Sequence, residues 1–212
     1  MIAKEGLVIL IPLILTTVAG TVGQFFYPLV YLKWVNMLLI GLTIFSVYFF
    51  RLPYRELPID SDLFISPADG KVVEIKSIND PDLGEMKQIS IFLSVFNVHA
   101  QWVPFDAKVK SLKYNHGKFS PAFKHKSSLD NEQMWVIFDN GENTYKIKQI
   151  AGLIARRIIN YMEPEMVVKR GDRLGFIRFG SRVDIIVPNN FDMRISVGDK
   201  VNAVETIIGE FI

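Results

Sequence analysis

Two long apolar runs occupy the first fifty residues and constrain the fold more than any other feature of the chain. Residues 6–32 form a run of 27 residues without a charge, and residues 34–50 add 17 more after Lys33. A bilayer core requires about 20 apolar residues in helical form, so both runs have the length of membrane segments. The first run is too long for the apolar core of a cleaved signal peptide. We expect residues 1–50 to form a hydrophobic membrane-associating segment, either two membrane helices or a helical hairpin lying partly in the bilayer.

Two arginines after the second run indicate an orientation. Arg51 and Arg55 flank this run, and basic residues are enriched at the cytoplasmic ends of membrane segments. The remaining residues, 51–212, are therefore predicted to form a domain on the cytoplasmic side of the cell membrane. A hairpin buried in a protein core is the alternative interpretation of the two runs.

The charge balance of residues 51–212 excludes several classes of function. The chain has 24 basic and 22 acidic residues, and Lys4, Lys33 and Glu5 precede residue 51, which leaves 22 basic and 21 acidic residues. A nucleic-acid-binding protein needs a marked basic excess, which is missing here. The chain has no cysteine, so disulfides, thiolate metal sites and a cysteine nucleophile are excluded. None of its three histidines has the spacing of a zinc motif such as His-Glu-x-x-His, and we expect no metal.

Short apolar runs separated by turn residues predict a mainly β domain. Residues 71–75 alternate as a half-buried strand does, and residues 89–98 are apolar enough for a central strand. Residues 139–142 are a hairpin turn signal between two further strands. The one good helical pattern spans residues 150–161.

Two similar sequence segments in the C-terminal part support this interpretation. Residues 168–175 and residues 196–201 each place a Gly-Asp pair before a short apolar segment. Repeated Gly-Asp turns before short strands suit a small β-sandwich or a barrel-like domain. We expect an α+β fold that is mainly β, with one or two helices and a hydrophobic N-terminal hairpin.

The Gly180-Ser181 pair has the chemistry to cut the backbone of its own chain. Glycine lacks a Cβ atom, so it adopts strained backbone angles that leave its carbonyl open to attack. The hydroxyl of Ser181 can reach the carbonyl of Gly180 through a five-membered ring and convert the amide into an ester. Elimination of that ester leaves the serine as a ketone, a pyruvoyl group at a new chain end. Gly-Ser pairs are also common in turns, so the surrounding residues must decide between an ordinary turn and a cleavage site.

His99 and Asp69 are the candidates to assist Ser181. His99 follows the apolar run of residues 89–98, where it could face a cleft and accept the proton of Ser181 while Asp69 orients its imidazole. The alternatives are a hydrogen-bonded histidine at a strand end and an ordinary Asp-Gly turn. The Gly-x-Ser-x-Gly elbow of many serine hydrolases is missing around Ser181.

A lysine-rich stretch precedes the helical pattern. Residues 108–126 contain six lysines and no acid, together with His116 and His125. The stretch is loop-like in sequence, and we expect both histidines to be solvated. The lysines form either a solvated face or a surface that lies against anionic lipid headgroups.

Six motifs stand in order along the chain. They are Tyr48-Phe49-Phe50-Arg51-x-Pro53, Ser66-Pro67-Ala68-Asp69-Gly70, Phe96-Asn97-Val98-His99, Tyr114-Asn115-x-Gly117-Lys118-Phe119, Gln149-Ile150-Ala151-Gly152-Leu153-Ile154-Ala155-Arg156-Arg157-Ile158 and Arg178-Phe179-Gly180-Ser181-Arg182-Val183-Asp184. Each motif alone is weak, but together they cover nearly the whole chain and resemble the short form of phosphatidylserine decarboxylase. Three positions depart from the family pattern: Trp102 stands where longer relatives have a second histidine, Gln101-Trp102 replaces a more polar pair, and His116 replaces a proline.

The resemblance implies a proenzyme that cuts itself between Gly180 and Ser181. Residues 1–180 would be the large chain and residues 181–212 the pyruvoyl-bearing small chain, and the two would form a heterodimer that could assemble further into a homo-oligomer. Asp69 and His99 would assist the cleavage. The pyruvoyl group from Ser181 would be the covalent cofactor that forms a Schiff base with the lipid headgroup and decarboxylates phosphatidylserine to phosphatidylethanolamine.

Three alternatives remain open from sequence. The substrate could be a related serine phospholipid such as archaetidylserine, because the same residues would serve it. The chain could instead be a non-catalytic, membrane-anchored β module resembling lipoyl domains, although no exposed lysine at a hairpin tip flanked by Asp and Met is evident. A transmembrane protein with a non-catalytic scaffold domain is the third possibility.

Overall fold

A computed structural model describes residues 1–117, 131–152, 157–178 and 180–212. The chain divides into two compact units, Met1–Tyr54 and Arg55–Ile212. The first unit contains the helices of the apolar runs, and the second contains the strands and all the candidate site residues.

The first unit is an antiparallel helical hairpin. A short 3-10 helix (Lys4–Gly6) leads into α1 (Leu7–Phe26), and α2 (Val30–Phe49) follows after a three-residue connection. The open end of the hairpin is closed by backbone hydrogen bonds, from Ala3 N to Phe50 O at 2.8 Å and from Leu52 N to Met1 O at 2.7 Å. Both helices are long and apolar enough to cross a membrane, and only 11% of each apolar window is buried. A hairpin enclosed in a protein core would be buried far more extensively.

Polar side chains meet where the two helices pack. The hydroxyls of Thr17 and Thr43 are 2.9 Å apart, and the Asn36 amide donates to Thr21 and to Gln24, each at 3.2 Å. Such hydrogen bonds between apolar helices keep polar groups away from the surrounding medium. The outer faces of the hairpin are therefore left almost entirely apolar.

The second unit is built from antiparallel strands. Its described residues contain β1 (Leu63–Ile65), β2 (Gly70–Asp80), β3 (Gly84–Leu93), β4 (Ala100–Trp102), β5 (Ala107–Asn115), β6 (Gln133–Asp139), β7 (Thr144–Ala151), β8 (Ile158–Asn160), β9 (Val167–Val168), β10 (Arg173–Ile177), β11 (Ser181–Pro188), β12 (Phe191–Met193), β13 (Lys200–Val201) and β14 (Ile207–Phe211). Eight of them form one sheet in the order β13-β2-β3-β11-β7-β6-β5-β9. Two three-stranded sheets, β1-β14-β12 and β4-β10-β8, complete the unit.

The large sheet curls into a half-barrel, which confirms the predicted mainly β, barrel-like fold. Its central strand is β11, which pairs with β3 on one side and β7 on the other. The C-terminal part of the chain thus joins the β2-β3 hairpin to the β5-β6-β7 meander. The hydrophobic core includes Ile91 of β3, Ile147 of β7 and Val183 of β11, because alternate residues of neighbouring strands point to the same face.

The predicted turns are present where the backbone requires glycine. Gly171 and Gly198 both have positive φ, 89° and 105°. In each of these turns the aspartate after the glycine accepts a backbone hydrogen bond from three residues earlier, Lys169 N to Asp172 and Ser196 N to Asp199, both at 2.8 Å. The two similar sequence segments therefore fold into the same local structure.

The helix predicted over residues 150–161 is wrong at both ends. Ile150 and Ala151 are the last residues of β7 and pair with Arg182 and Ser181, while Ile158–Asn160 form β8. Residues 153–156 lie outside the described residues. Ile150 has an apolar neighbourhood because it is buried in a sheet. The hydrogen bonds of that sheet come from strands distant in sequence, and they override the local preference for a helix.

Two further predictions need correction. The strand predicted over residues 89–98 is β3, which ends at Leu93, because Asn97 Oδ1 accepts hydrogen bonds from the backbone and hydroxyl of Ser94 and turns the chain. The lysine-rich stretch is not a loop throughout, since its first part is strand β5. Its remainder from residue 118, which includes His125, lies outside the described residues.

Candidate active site

Gly180 and Ser181 stand at the entrance to the central strand of the large sheet. Gly180 has φ +64°, and a Cβ atom built there would meet nothing within 4 Å. Its left-handed backbone, not lack of space, is what favours glycine. Ser181 is the first residue of β11 and pairs with Leu93 of β3 and Ala151 of β7. The bond between the two residues is thus held by a rigid sheet on its C-terminal side.

The Ser181 hydroxyl is buried and has no hydrogen-bond partner among the described residues. A buried hydroxyl is normally paired, because leaving it unpaired costs about 1–3 kcal/mol. By strand alternation its side chain lies on the same face as Val183, which belongs to the core. An unpaired hydroxyl in such a place is available for chemistry.

Both peptide groups of Gly180 are hydrogen-bonded. Its N–H donates to Nε2 of His99 at 3.2 Å, and its carbonyl oxygen accepts from the N–H of Gly152 at 3.0 Å. The carbonyl that Ser181 would attack therefore has a fixed orientation, and His99 lies beside the same peptide segment.

His99 is fully buried, directly before β4. Its Nδ1 lies 3.0 Å from the carbonyl oxygen of Asn97. A carbonyl only accepts hydrogen bonds, so the proton resides on Nδ1, and Nε2 carries the lone pair that accepts from Gly180 N–H. The geometry assigns a neutral tautomer whose basic nitrogen faces the Gly180-Ser181 segment.

Asp69 is buried in an ion pair with Arg55. The two guanidinium nitrogens of Arg55 donate to the two carboxylate oxygens, one of them at 2.8 Å. The same carboxylate accepts from the backbone N–H of Ala203 at 2.9 Å and of Val98 at 3.4 Å. Asp69 thus connects three segments of the chain and reaches the residue directly before His99.

A chain of amides supports the other side of His99. Gln101 Nε2 donates to the His99 carbonyl oxygen at 2.6 Å, Gln149 Nε2 donates to Gln101 Oε1 at 2.9 Å, and Asn160 Nδ2 donates to Gln149 Oε1 at 2.8 Å. Gln101 and Gln149 are fully buried. Because each amide has a fixed donor and acceptor direction, the chain fixes the backbone of His99 against β7 and β8.

The other predicted positions surround this centre. Trp102 is buried, and the guanidinium groups of Arg55 and Arg173 lie 5.5 and 5.1 Å from the centroid of its ring. It therefore provides an aromatic face to these two cations. His116 is exposed, as predicted, and its ring contacts Tyr114 edge-on at 4.5 Å between centroids.

Tyr114 donates a 2.6 Å hydrogen bond to the buried carboxylate of Glu132. Desolvation, this hydrogen bond and the negative charge of Glu132 raise the pKa of Tyr114 to about 12. Glu132 also accepts the N–H of Ile158 at 3.4 Å. The tyrosine therefore remains a neutral donor at neutral pH.

A second group of buried charges lies on the opposite face of the large sheet. Lys146 is fully buried and donates to Asp80 and, at 2.7 Å, to Asp82. Burial alone would raise the pKa of Asp80, but the hydrogen bond and charge of Lys146 outweigh it and hold that pKa below its ordinary value. Burial lowers the pKa of Lys148, which lies 3.7 Å from Asp80. These groups pair with one another between β2 and β7.

Sequence reasoning missed several residues of the site. In the sequence Arg55 is only a charge that flanks the second apolar run, and nothing there pairs it with Asp69. The amides of Gln101 and Gln149 carry no spacing signal, because β4 and β7 meet only through the fold. The N–H of Gly152 and the carbonyl of Asn97 act through the backbone, which residue types do not reveal.

Comparison with known proteins provides independent evidence. A family model described as phosphatidylserine decarboxylase matches residues 42–209. The phosphatidylserine decarboxylase proenzyme of Chlorobium chlorochromatii is 42% identical over 187 residues, which is 88% of each chain. That of Syntrophus aciditrophicus is 40% identical over 214 residues, covering 99% of this chain and 97% of its own. That of Rickettsia typhi is 47% identical over 176 residues, covering 80% and 76%.

These matches place the chain among the carboxy-lyases, the enzymes that remove CO2 from their substrates. Within that class, the chain belongs to the phosphatidylserine decarboxylase family. Membership sets aside the two non-catalytic alternatives that the sequence left open.

Proposed function

We propose that the chain is a proenzyme that cuts itself between Gly180 and Ser181 and then decarboxylates phosphatidylserine to phosphatidylethanolamine. The single observation that carries the cleavage proposal is the geometry of Gly180. Its carbonyl is fixed by Gly152, its N–H is bonded to His99, and it precedes a buried serine hydroxyl that has no partner among the described residues. The names of the relatives, all decarboxylase proenzymes, support the same reaction.

Cleavage begins at the Ser181 hydroxyl. Its oxygen forms a bond to the Gly180 carbonyl carbon while its proton passes to a base, and the C–N bond to Ser181 breaks as that nitrogen takes up a proton. The product is an ester that joins the two residues. Elimination then transfers the α-proton of residue 181 to a base, breaks the Cβ–O bond, releases Gly180 as a carboxylate and leaves dehydroalanine at position 181. Addition of one water to the dehydroalanine gives ammonia and a pyruvoyl group. His99 is the proposed base, since its Nε2 lone pair is turned to this segment.

Asp69 is proposed to act on His99 by positioning it. Its carboxylate holds the N–H of Val98, one residue before the histidine, and Arg55 balances its charge. Held in this ion pair, Asp69 supplies an anchor for the backbone directly before His99. His99 can also move protons during turnover from the same position.

The residues around position 181 fit a pyruvoyl group. Such a group is smaller than the serine from which it derives, and the serine hydroxyl has no described partner that would be lost on its conversion. When formed, the group supplies a ketone that condenses with an amine and accepts the electrons released with CO2. This chain's own residues then have the tasks of excluding water, which burial of the site achieves, and of returning a proton, for which His99 is the candidate.

The two fragments are expected to remain together as a heterodimer. The small chain would begin at Ser181 and would carry β11, which pairs over eight residues with β3 and over six with β7. Removing β11 would split the large sheet in its middle. Cleavage at the first residue of β11 therefore frees a chain end without releasing a strand.

The helical hairpin is proposed to hold the enzyme at the membrane that contains its substrate. Its outer faces are apolar and largely exposed. A phospholipid with two acyl chains stays in the bilayer, so the active site must be brought to it. Arg51 and Arg55 favour the cytoplasmic side for the second unit.

Replacing the nucleophile tests the proposal. The Ser181→Ala protein should remain a single chain of 212 residues and lack decarboxylase activity, whereas the wild type should separate into fragments of residues 1–180 and 181–212 on a denaturing gel. Ser77→Ala is the matched control, since Ser77 is an exposed serine on β2. Two fragments from Ser181→Ala, or a single active chain from the wild type, would contradict the proposal.

A further inference from the structure

We propose that the backbone N–H of Gly152 stabilises the oxyanion that forms on the Gly180 carbonyl during self-cleavage. The inference rests on the proposed function, because it assigns a role in the same bond-breaking step. It concerns an atom that no residue motif identifies.

The register of the large sheet brings the two glycines together. Ser181 of β11 pairs with Ala151, the last residue of β7. In an antiparallel pair the next residue on one strand faces the preceding residue on the other, so Gly152 lies opposite Gly180. The observed 3.0 Å hydrogen bond from Gly152 N to Gly180 O is the consequence.

The hydrogen bond is directed at the atom on which negative charge develops. When the Ser181 hydroxyl attacks, the electrons of the carbonyl double bond move onto Gly180 O. A donor already about 3 Å from that oxygen needs no reorganisation, and a hydrogen bond to an ionised acceptor is roughly twice as strong as one to a neutral acceptor. The N–H of Gly152 therefore stabilises the transition state more than the resting peptide.

His99 and Gly152 have different roles at Gly180. His99 Nε2 accepts the N–H of Gly180 and carries a lone pair, so it acts as a base and not as a donor to the oxyanion. The Gly180 φ of +64° directs the carbonyl toward the end of β7. His99 thus binds the N–H of Gly180, and Gly152 binds the carbonyl oxygen of the same residue.

A backbone ester removes the N–H without changing a side chain. Cell-free synthesis with a suppressor tRNA that carries glycolic acid would replace Gly152, and the same tRNA charged with glycine would restore the natural protein. The matched control is the glycolic acid replacement of Gly171, whose N–H donates to Val103 O at 2.9 Å and not to the Gly180 carbonyl. The rate of scission is followed on a denaturing gel, and resistance to protease reports folding.

The ester at position 152 should slow scission about 10²- to 10³-fold, the usual effect of removing one oxyanion donor. The ester at position 171 should change the rate less than tenfold. Wild-type scission with the ester at 152, equal slowing by both esters, or loss of protease resistance at 152 alone would each overturn the inference. If the glycine-restored chain itself fails to cut between residues 180 and 181, the proposed function fails instead.

Discussion

The Nε2 atom of His99 lies 3.2 Å from the backbone nitrogen of Gly180 and accepts its hydrogen bond. The two residues are 81 positions apart in sequence. Their contact joins the segment before β4 to the segment before β11, the strand that closes the middle of the large sheet. Because the histidine proton is held on Nδ1 by Asn97, the contact also fixes which nitrogen is basic.

Replacing His99 should therefore separate base catalysis from folding. In His99→Gln, we expect scission at least 100-fold slower, since a positioned general base typically contributes 10²- to 10⁴-fold. His116→Gln is the control, because His116 is exposed. Time courses of chain cleavage measure both variants. Undiminished scission in His99→Gln would remove the histidine from the mechanism.

Gly180 should be sensitive because of its backbone and not because of space. In Gly180→Ala the new Cβ meets nothing, but a left-handed backbone costs an L-residue about 1 kcal/mol. Relief of that strain would turn the carbonyl away from Gly152 and slow scission tenfold or more. Gly84→Ala is the matched control, with φ +78° and equally open space on the β2-β3 hairpin.

Both alanine variants should lose similar stability in urea unfolding, while only Gly180→Ala should cleave slowly. Equal scission rates in the two variants would show that the left-handed backbone at Gly180 has no part in cleavage.

The ion pair between Asp69 and Arg55 should matter more than a surface pair. Removing one partner of a buried pair typically costs about 3–5 kcal/mol, so Arg55→Met should destabilise the protein strongly and slow scission. Arg194→Met breaks the exposed pair with Glu210 and should cost at most about 1 kcal/mol. Urea titration of the uncut chains, in a Ser181→Ala background, measures both. Similar losses in the two variants would contradict a structural role for Arg55.

Asp80 should make stability depend on acid pH. Lys146 holds the pKa of Asp80 below its ordinary value of 3.8. A carboxyl whose pKa is lower in the folded than in the unfolded protein stabilises the fold at pH values above its unfolded-state pKa. This stabilisation is lost as the pH falls through its folded-state pKa. The free energy of unfolding of the wild type should therefore exceed that of Asp80→Asn by a constant amount above pH 5, and this difference should shrink below about pH 4. Urea midpoints from pH 7 to pH 2 measure it, and a constant difference over the whole range would refute the assignment.

Much of the fold could be predicted because its signals are local. The apolar runs of the hairpin, the alternation of β2 and the Gly-Asp turns at Gly171 and Gly198 depend on neighbouring residues, and the structure has them where predicted. The segment around Ile150 has an apolar spacing that fits a helix, so the sequence predicts a helix there. Its pairing with Arg182 is decided by a strand 32 residues further along the chain, which local spacing does not report.

The candidate site divides in the same way. Gly180 and Ser181 could be singled out since their chemistry belongs to adjacent residues. The partners of Asp69 and His99 could not, because Arg55 and the amides come from separate segments and Asn97 acts through its backbone carbonyl. Predicting them would have required the strand register first.

Intact mass spectrometry of the purified protein tests the central claim most directly. Scission between Gly180 and Ser181 should give two masses. The small fragment, residues 181–212, should be lighter than the product of plain hydrolysis by the mass of one ammonia, because a pyruvoyl group replaces the N-terminal serine. A single uncut mass from active enzyme, or a small fragment that still begins with an ordinary serine, would contradict the account.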